Sequence, residues 1–294
     1  MVLKTRLNSN VMVILMTLSM AVQSFSSENN PGNHSKSINI RGVTSLIVSY
    51  TTAHLTLLES DNDELVLKEY TTAYNPEDFG NIFLEGSVLS IIEGPRTSPN
   101  QTDVKIEVYI PRSYRENCSI YINSGALISE KELILKNLVI ELSSGFITLG
   151  RVFAENIYIK SANGNVNINH AEGTMRLDAL SGSIMVQSAR GSGTFKTSLG
   201  RITVGMEYVT GDLLFETGIG AIALSLPEEL SFHVDALTGS GNIRLYSPEK
   251  QYRVDNSGPM NLSIGSAPLC TIRSRTGVGN ITMNMQAPSL GGIF

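Results

Sequence analysis

Three stretches decide the fold: Met175–Val186 (MRLDALSGSIMV), Phe195–Val204 (FKTSLGRITV) and Leu213–Leu224 (LLFETGIGAIAL). Each alternates apolar and polar residues, breaks at a glycine and alternates again. Period-two alternation places every second side chain on one face of a strand. The glycine supplies a corner that residues with a Cβ resist. Aligned on Gly182, Gly200 and Gly220, the apolar residues keep fixed offsets: Leu177, Phe195 and Phe215 come five before the glycine, Ile184, Ile202 and Ile222 two after, and Val186, Val204 and Leu224 four after.

The pattern extends outward through Gly125, Gly145 and Gly164 on one side and Gly239, Gly258 and Gly277 on the other, with successive spacings of 20, 19, 18, 18, 20, 19, 19 and 19. A unit of this size cannot bury its apolar face alone, but stacked units share one continuous core. The expectation is an all-β chain, a parallel β-solenoid of about nine coils with a β-rich N-terminal cap. Ile134, Phe153, Ala171, Ala189 and Val209, eleven before their glycines, suggest a third inward wall, and Gly173, Gly191 and Gly211 mark a second corner. The coils at Gly239 and Gly277 carry two extra residues before the pattern resumes at Ile243 and Ile281, and the coil at Gly258 slips by one.

Upstream the pattern changes. Lys4 and Arg6 precede an apolar run from Val11 to Val22, which reads as a secretory signal over residues 1–24. The run is shorter than the ~20 residues that span a bilayer, and an uncleaved anchor is the alternative. Residues 25–39 are polar, with Pro and Gly, and read as a linker. Residues 40–112 alternate like strands broken by turns and form the expected cap. Residues 113–284 are the repeats and 285–294 a tail.

Composition agrees with this division. Only five of the 26 glycines precede residue 113, and only 17% of residues are charged. The formal charge is −5, which argues against a nucleic-acid partner, since phosphate binding needs concentrated Lys and Arg. Cys118 and Cys270 both lie seven residues before a marker glycine. In a sequential stack eight rungs, or roughly 38 Å at ~4.8 Å each, would separate them, too far for a disulfide.

Four residues before each glycine stand Glu141, Lys160, Asp178, Lys196, Glu216 and Asp235, the first five alternating in sign. Such a column can pair opposite charges rung by rung, each exposed pair contributing ~0–1 kcal/mol. The outward positions of the second strand, among them Phe146, Asn165, Ser183, Arg201 and Ala223, are small, polar and weakly charged. That face could dock a polymer or a protein, or simply meet solvent.

Residues that would carry chemistry are scattered. His34, His54, His170 and His233 have no metal-ligand spacing and read as lone side chains, His170 on a return loop and His233 on a strand surface. Neither cysteine has a zinc-type partner, no G-x-S-x-G elbow occurs, and the G-x-G pairs lack a third glycine. The acid pairs Asp61/Asp63 and Glu228/Glu229 read as solvated turns. Glycosylation-type sequons at Asn33, Asn100, Asn117, Asn261 and Asn280 read as chance occurrences. No catalytic, cofactor-binding or metal-ligating residue is named, and no cofactor is expected.

On the three quoted stretches, and on Val104–Pro111 before the first coil, the chain resembles the bacterial putative adhesin family over residues 40–284. The resemblance implies an exported β-solenoid of the cell envelope with no catalytic residues to carry over. The expectation is therefore a non-enzymatic exported protein of the periplasm, cell surface or medium, adhesive or structural, with a cell-envelope glycan or a surface protein as candidate partners. The alternative is a glycan-active β-helix enzyme, lyase or hydrolase-like, which would need clustered charges on one outward face.

Overall fold

The computed structural model describes residues 26–30, 33–70, 78–95 and 104–286. The expected signal, residues 1–24, and the tail beyond Gln286 lie outside the described residues. Every helix or strand among the described residues is a strand, and no helix there is long and apolar enough to cross a membrane.

The repeats stack as parallel rungs around one core. Strand β8 (Asn117–Asn163) runs through successive coils, followed by β9 (Val166–Ser181), β10 (Ile184–Leu199) and β11 (Ile202–Ile219). Ile147 pairs with Val166, Val166 with Ile184 and Ile184 with Ile202, all in parallel register. The segment leading into each corner glycine builds a first wall, the segment leaving it a second, and the return a third. The inward residues of the first two walls are buried, including Ile140, Ile159, Leu177, Phe195, Phe215, Ile147, Val166, Ile184 and Ile202. The Phe195 and Phe215 rings stack with centroids 5.0 Å apart.

The corner requires glycine because the rungs touch there. Gly164 has φ +146, and a Cβ on it would overlap the carbonyl oxygen of Gly145 on the rung below. Two side-chain ladders tie the rungs, one of asparagines at the start of the first wall and one of threonines beside the corner column. Asn156 Nδ2 donates to Asn137 Oδ1 at 2.7 Å, Asn137 Nδ2 to Asn117 Oδ1 at 2.6 Å, and Asn117 Nδ2 to the Thr44 carbonyl at 2.8 Å. On later rungs Thr197 Oγ1 donates to the Gly182 carbonyl and Thr217 Oγ1 to that of Gly200, at 2.9 and 3.0 Å. Each bond adds on the order of 1 kcal/mol and ties a rung to its neighbour.

Parallel stacking reaches across residue 112 into the segment expected as the cap. Strand β3 (Ser45–Ser60) is itself a rung, pairing in parallel with β8 from Ser45↔Asn117 to Thr56↔Ile128, with Ala53 in the glycine position opposite Gly125. The remaining cap strands close this end. On the first wall β3 pairs with β6 (Val88–Ile92), which pairs antiparallel with β5 (Asn81–Glu85). On the second wall β3 pairs with β7 (Lys105–Pro111), followed by antiparallel β4 (Glu64–Tyr70) and β2 (Asn33–Asn39). Residues 25–39, expected as a linker, thus contain β2 and its antiparallel partner β1 (Ser26–Asn30). The reason is that β2 covers an open sheet edge of β4, a role that polar alternation such as His34-Ser35-Lys36-Ser37 can fill.

The far end departs from sequence order. After β11 come β12 (Ile222–Pro227), β13 (Phe232–Ser240) and β14 (Ile243–Tyr246). A turn at Ser247–Lys250, closed by a 3.0 Å backbone bond, folds β15 (Gln251–Val254) antiparallel onto β14. Strand β16 (Gly258–Ile264) then runs antiparallel to β13. The Gly258 segment is therefore a cap and not a parallel coil, its corner made by Asn256 and Ser257 at φ 58° and 82°. This hairpin occupies the outer edges of β13 and β14. The inner edges are the ones left for the last strands, β17 (Cys270–Val278) and β18 (Ile281–Gln286). They insert there: β17 lies between β11 and β13, and β18 between β12 and β14.

The insertion also resets the markers. The corner column continues from Gly220 to Gly279 and then to Gly241, so Gly277 and Gly239 sit two residues before it. With Gly241 and Gly279 as markers the supposed two-residue insertions vanish, and Ile243 and Ile281 fall in the ordinary second position. Cys270 accordingly lies nine before its corner, by the second corner, while Cys118 lies seven before. Both are buried and free, six rungs apart in space, or roughly 29 Å.

The third wall differs in detail from expectation. Its buried column runs Val152, Ala171, Ala189 and Met206, whereas Phe153 and Val209 are only partly buried and Ile134 is exposed. Register shifts between Phe153 and Asn156 and between Val186 and Arg190 displace the side chains that a fixed offset assigned inward.

Candidate functional site

A polar cluster lies on the outward side of the third wall, where returning segments of consecutive rungs align. Arg151 pairs with His170 and His170 with Ser188, with Glu207 on the next rung. Ser188 Oγ donates to Glu207 Oε1 at 2.6 Å and lies 2.9 Å from His170 Nδ1. Arg190 Nε donates to Glu207 Oε2 at 3.0 Å. Arg151 forms an ion pair with Glu132 at 2.6 Å and lies over the Phe153 ring, which packs against His170 with centroids 5.2 Å apart. His170, expected to stand alone, belongs to this cluster. The signal was its offset from Gly164, which matches those of Arg151, Ser188 and Glu207 to within a residue, but variable loop lengths hid it.

The order of groups decides what the cluster can do. Ser188 has one hydroxyl proton and gives it to Glu207, so His170 Nδ1 must donate to the same oxygen. A nucleophilic serine needs the reverse, with its proton directed at a histidine that a carboxylate orients. Here serine sits between histidine and acid, and the result is a cross-rung tie. The Ser188 hydroxyl, and secondarily Arg190, hold the Glu207 carboxyl below its ordinary range against the opposing effect of burial.

Among the described residues the charge column of the first wall lies in register, but only one of its expected cross-rung ion pairs forms. Lys196 pairs with Glu216 at 2.6 Å, and Asp178 pairs along its own strand with Arg176 at 2.8 Å. Asp235 lies outside the column because its corner is Gly241. Arg275 stands beside Glu216 instead, and Asp235 binds Arg273 and Arg275 at 3.1 and 2.7 Å. His233, expected at a strand surface, lies 3.2 Å from Ser263 Oγ.

A second cluster lies in the N-terminal cap. Glu69, only 2% exposed, accepts from Tyr50 Oη at 2.8 Å and from the Gly80 amide at 2.7 Å. Lys36 Nζ donates to the Gly80 carbonyl at 2.6 Å, and His34 stacks on Phe79. These bonds clamp the segment at residues 78–80 to the cap. Burial lowers the pKa of Lys36, and Glu69 partly offsets that. Among the described residues no group of three or more His, Cys, Asp or Glu could hold a metal ion.

The stack from β3 to β18 coincides with a known family. Residues 55–283 match the family described as Toastrack DUF4097. The chain belongs to that family. Its match begins within β3 and ends within β18, so it takes in the second-wall half of the first rung and the inserted last coil. A putative adhesin from Parabacteroides merdae ATCC 43184, solved at 1.75 Å, is 12% identical with a TM-score of 0.52, covering 87% of this chain and 98% of its own. A putative adhesin from Parabacteroides distasonis ATCC 8503 is 15% identical with a TM-score of 0.48, covering 86% of this chain and 98% of its own. The first of these likenesses supports the all-β solenoid fold. No curated protein matches the chain.

Proposed function

We propose that this Toastrack protein is a non-enzymatic, adhesin-like module exported to the bacterial cell envelope, facing the periplasm or the outer surface. The observation that carries this reading is the closure of both stack ends. Antiparallel strands β1, β2, β4 and β5 cap one end and β15 and β16 the other. Short antiparallel edge strands disfavour end-to-end pairing of sheets, and what the stack presents to other molecules is its long lateral walls. The names of the structural neighbours support the adhesive role.

The polar cluster fits the same reading, since its serine proton is committed to Glu207 and its charges are paired across rungs. The test is a binding screen of the full chain against immobilised glycans and matrix proteins, alongside turnover assays on a polysaccharide panel. Saturable binding without turnover is expected. Turnover abolished by Asp178→Asn or Glu216→Gln would overturn the reading in favour of a glycan-active enzyme.

A further inference from the structure

From the Gly145 rung onward, the outward face of the second wall differs chemically from that of the first wall. At the first, third and fifth positions after each corner glycine, from Phe146 to Tyr246, there is no Asp or Glu, although the chain carries 27 acids against 22 bases. The first wall, by contrast, interleaves paired acids and bases.

The second wall offers hydrogen-bond donors instead. Asn165 Oδ1 accepts from the Ser183 amide at 2.9 Å, Asn280 Oδ1 from the Asn242 amide at 2.9 Å, and Asn242 Oδ1 from the Asn256 amide at 3.2 Å. With the carbonyl of each side chain occupied by a neighbouring rung, its NH₂ group is left to donate outward. Arg201 and Arg244 lie on the same face, and among the described residues neither forms an ion pair, unlike Arg151, Arg176 and Arg190. Arg244 Nε is buried without an acceptor. Arg253 stands directly across from Arg244 in the β14–β15 pair. Like charges placed opposite each other in a sheet are destabilising; Arg253 is relieved by Asp255 at 2.6 Å, and Arg244 is not.

The geometry points to the second wall as the binding face for a linear acidic polysaccharide, with Arg201 and Arg244 contacting its carboxylates. This rests on the adhesive reading above and names its ligand class. Guanidinium groups match carboxylates in a two-bond fork. Asn and hydroxyl side chains recur along the stack at multiples of the ~4.8 Å rung spacing, interrupted by Phe146, Met185, Ala221 and Ala223, and suit an extended sugar chain lying along it. A nucleic acid fits less well: its phosphates demand denser cations than two unpaired arginines provide, and the chain is acidic overall.

The test is native electrophoresis of the full chain through gels containing polygalacturonate, neutral dextran or single-stranded DNA. Polygalacturonate is expected to retard the protein, less so as salt rises, while dextran leaves it unmoved. Arg201→Ala/Arg244→Ala should weaken the retardation about tenfold or more. Arg176→Ala, on the first wall, should retain it. Matched thermal melts confirm that each variant is folded. Absent retardation, equal retardation by dextran, stronger retardation by DNA, or an equal loss in Arg176→Ala would each overturn the inference. If polygalacturonate does not retard the parent while a neutral glycan or a matrix protein binds it, the inference fails and the adhesive reading stands. If the parent binds nothing at all, both fail.

Discussion

Thr276 Oγ1 donates to the carbonyl of Gly220 at 2.9 Å, although 56 residues separate the two in sequence. The next bond in the ladder, from Thr238 to the Gly279 carbonyl at 2.8 Å, runs backward along the chain. Together they record the insertion of β17 between β11 and β13. Thr276→Val removes the hydroxyl at a site only 5% exposed and leaves the Gly220 carbonyl without that donor. A loss of about 1–2 kcal/mol is expected by urea denaturation, and backbone amides of β17 and of the facing edge of β11 should exchange faster together. Unchanged exchange in β11 would argue against the inserted order.

Gly164→Ala tests the corner column. The added methyl would meet the Gly145 backbone at a φ of +146, so strain and overpacking add, for a loss of roughly 3 kcal/mol. At Gly42, where a Cβ meets nothing within 4 Å, only the φ penalty applies. Gly42→Ala should therefore cost clearly less in the same melt, and equal losses would refute a packing origin.

Ser274 is wholly buried between Phe215 and Ala236, and its hydroxyl has no partner. A buried hydroxyl without a hydrogen bond costs free energy, so Ser274→Ala should stabilise the protein by about 1 kcal/mol. A lower urea midpoint in this variant would show that the hydroxyl has a role.

Two groups on different elements contribute to the acid limb of stability. Burial, with Lys36 adding to it, pushes the His34 imidazole below its ordinary 6.5. The unfolded chain thus takes up the proton first, so this contribution is full above about pH 6.5 and is lost as pH falls towards the folded value. Glu207 behaves alike at lower pH: its contribution is full above the ordinary carboxylate pKa of about 4.3 and is lost as pH falls through its depressed folded value. Urea midpoints measured from pH 7 to 3 should decline in two stages. His34→Phe should flatten the first, and Glu207→Gln should reduce the second, which Asp63 and Glu107 share because their carboxyls are also held below the ordinary range; a first stage that survives His34→Phe belongs to another group.

Legibility in the sequence followed the physics of each feature. The inward columns could be read because strand alternation and a steric need for glycine both leave a local signature, as at Phe195, Gly200 and Ile202. The His170–Ser188–Glu207 tie could not, because third-wall loops vary by a residue and no local rule says which return segments align. The Asn117–Asn137–Asn156 ladder was present as asparagines at constant offset, but three polar residues amid many carry little weight until their rungs are stacked. β3 was missed as a rung because Ala53 stands where the later coils have glycine.

From the sequence alone came the repeat, the parallel all-β class, the glycine corner and the side chains that face the core, since each follows from local backbone sterics and burial. Only the tertiary structure decided the order of the rungs. Every coil presents the same columns, Leu213 and Phe215 as readily beside Val234 and Ala236 as beside Ile272 and Ser274, so offsets alone cannot choose a neighbour. The choice falls to the β14–β15 turn. By folding the chain back on the outer edge of the stack, it leaves the inner edge for β17 and β18, and it brings Arg253 to face Arg244.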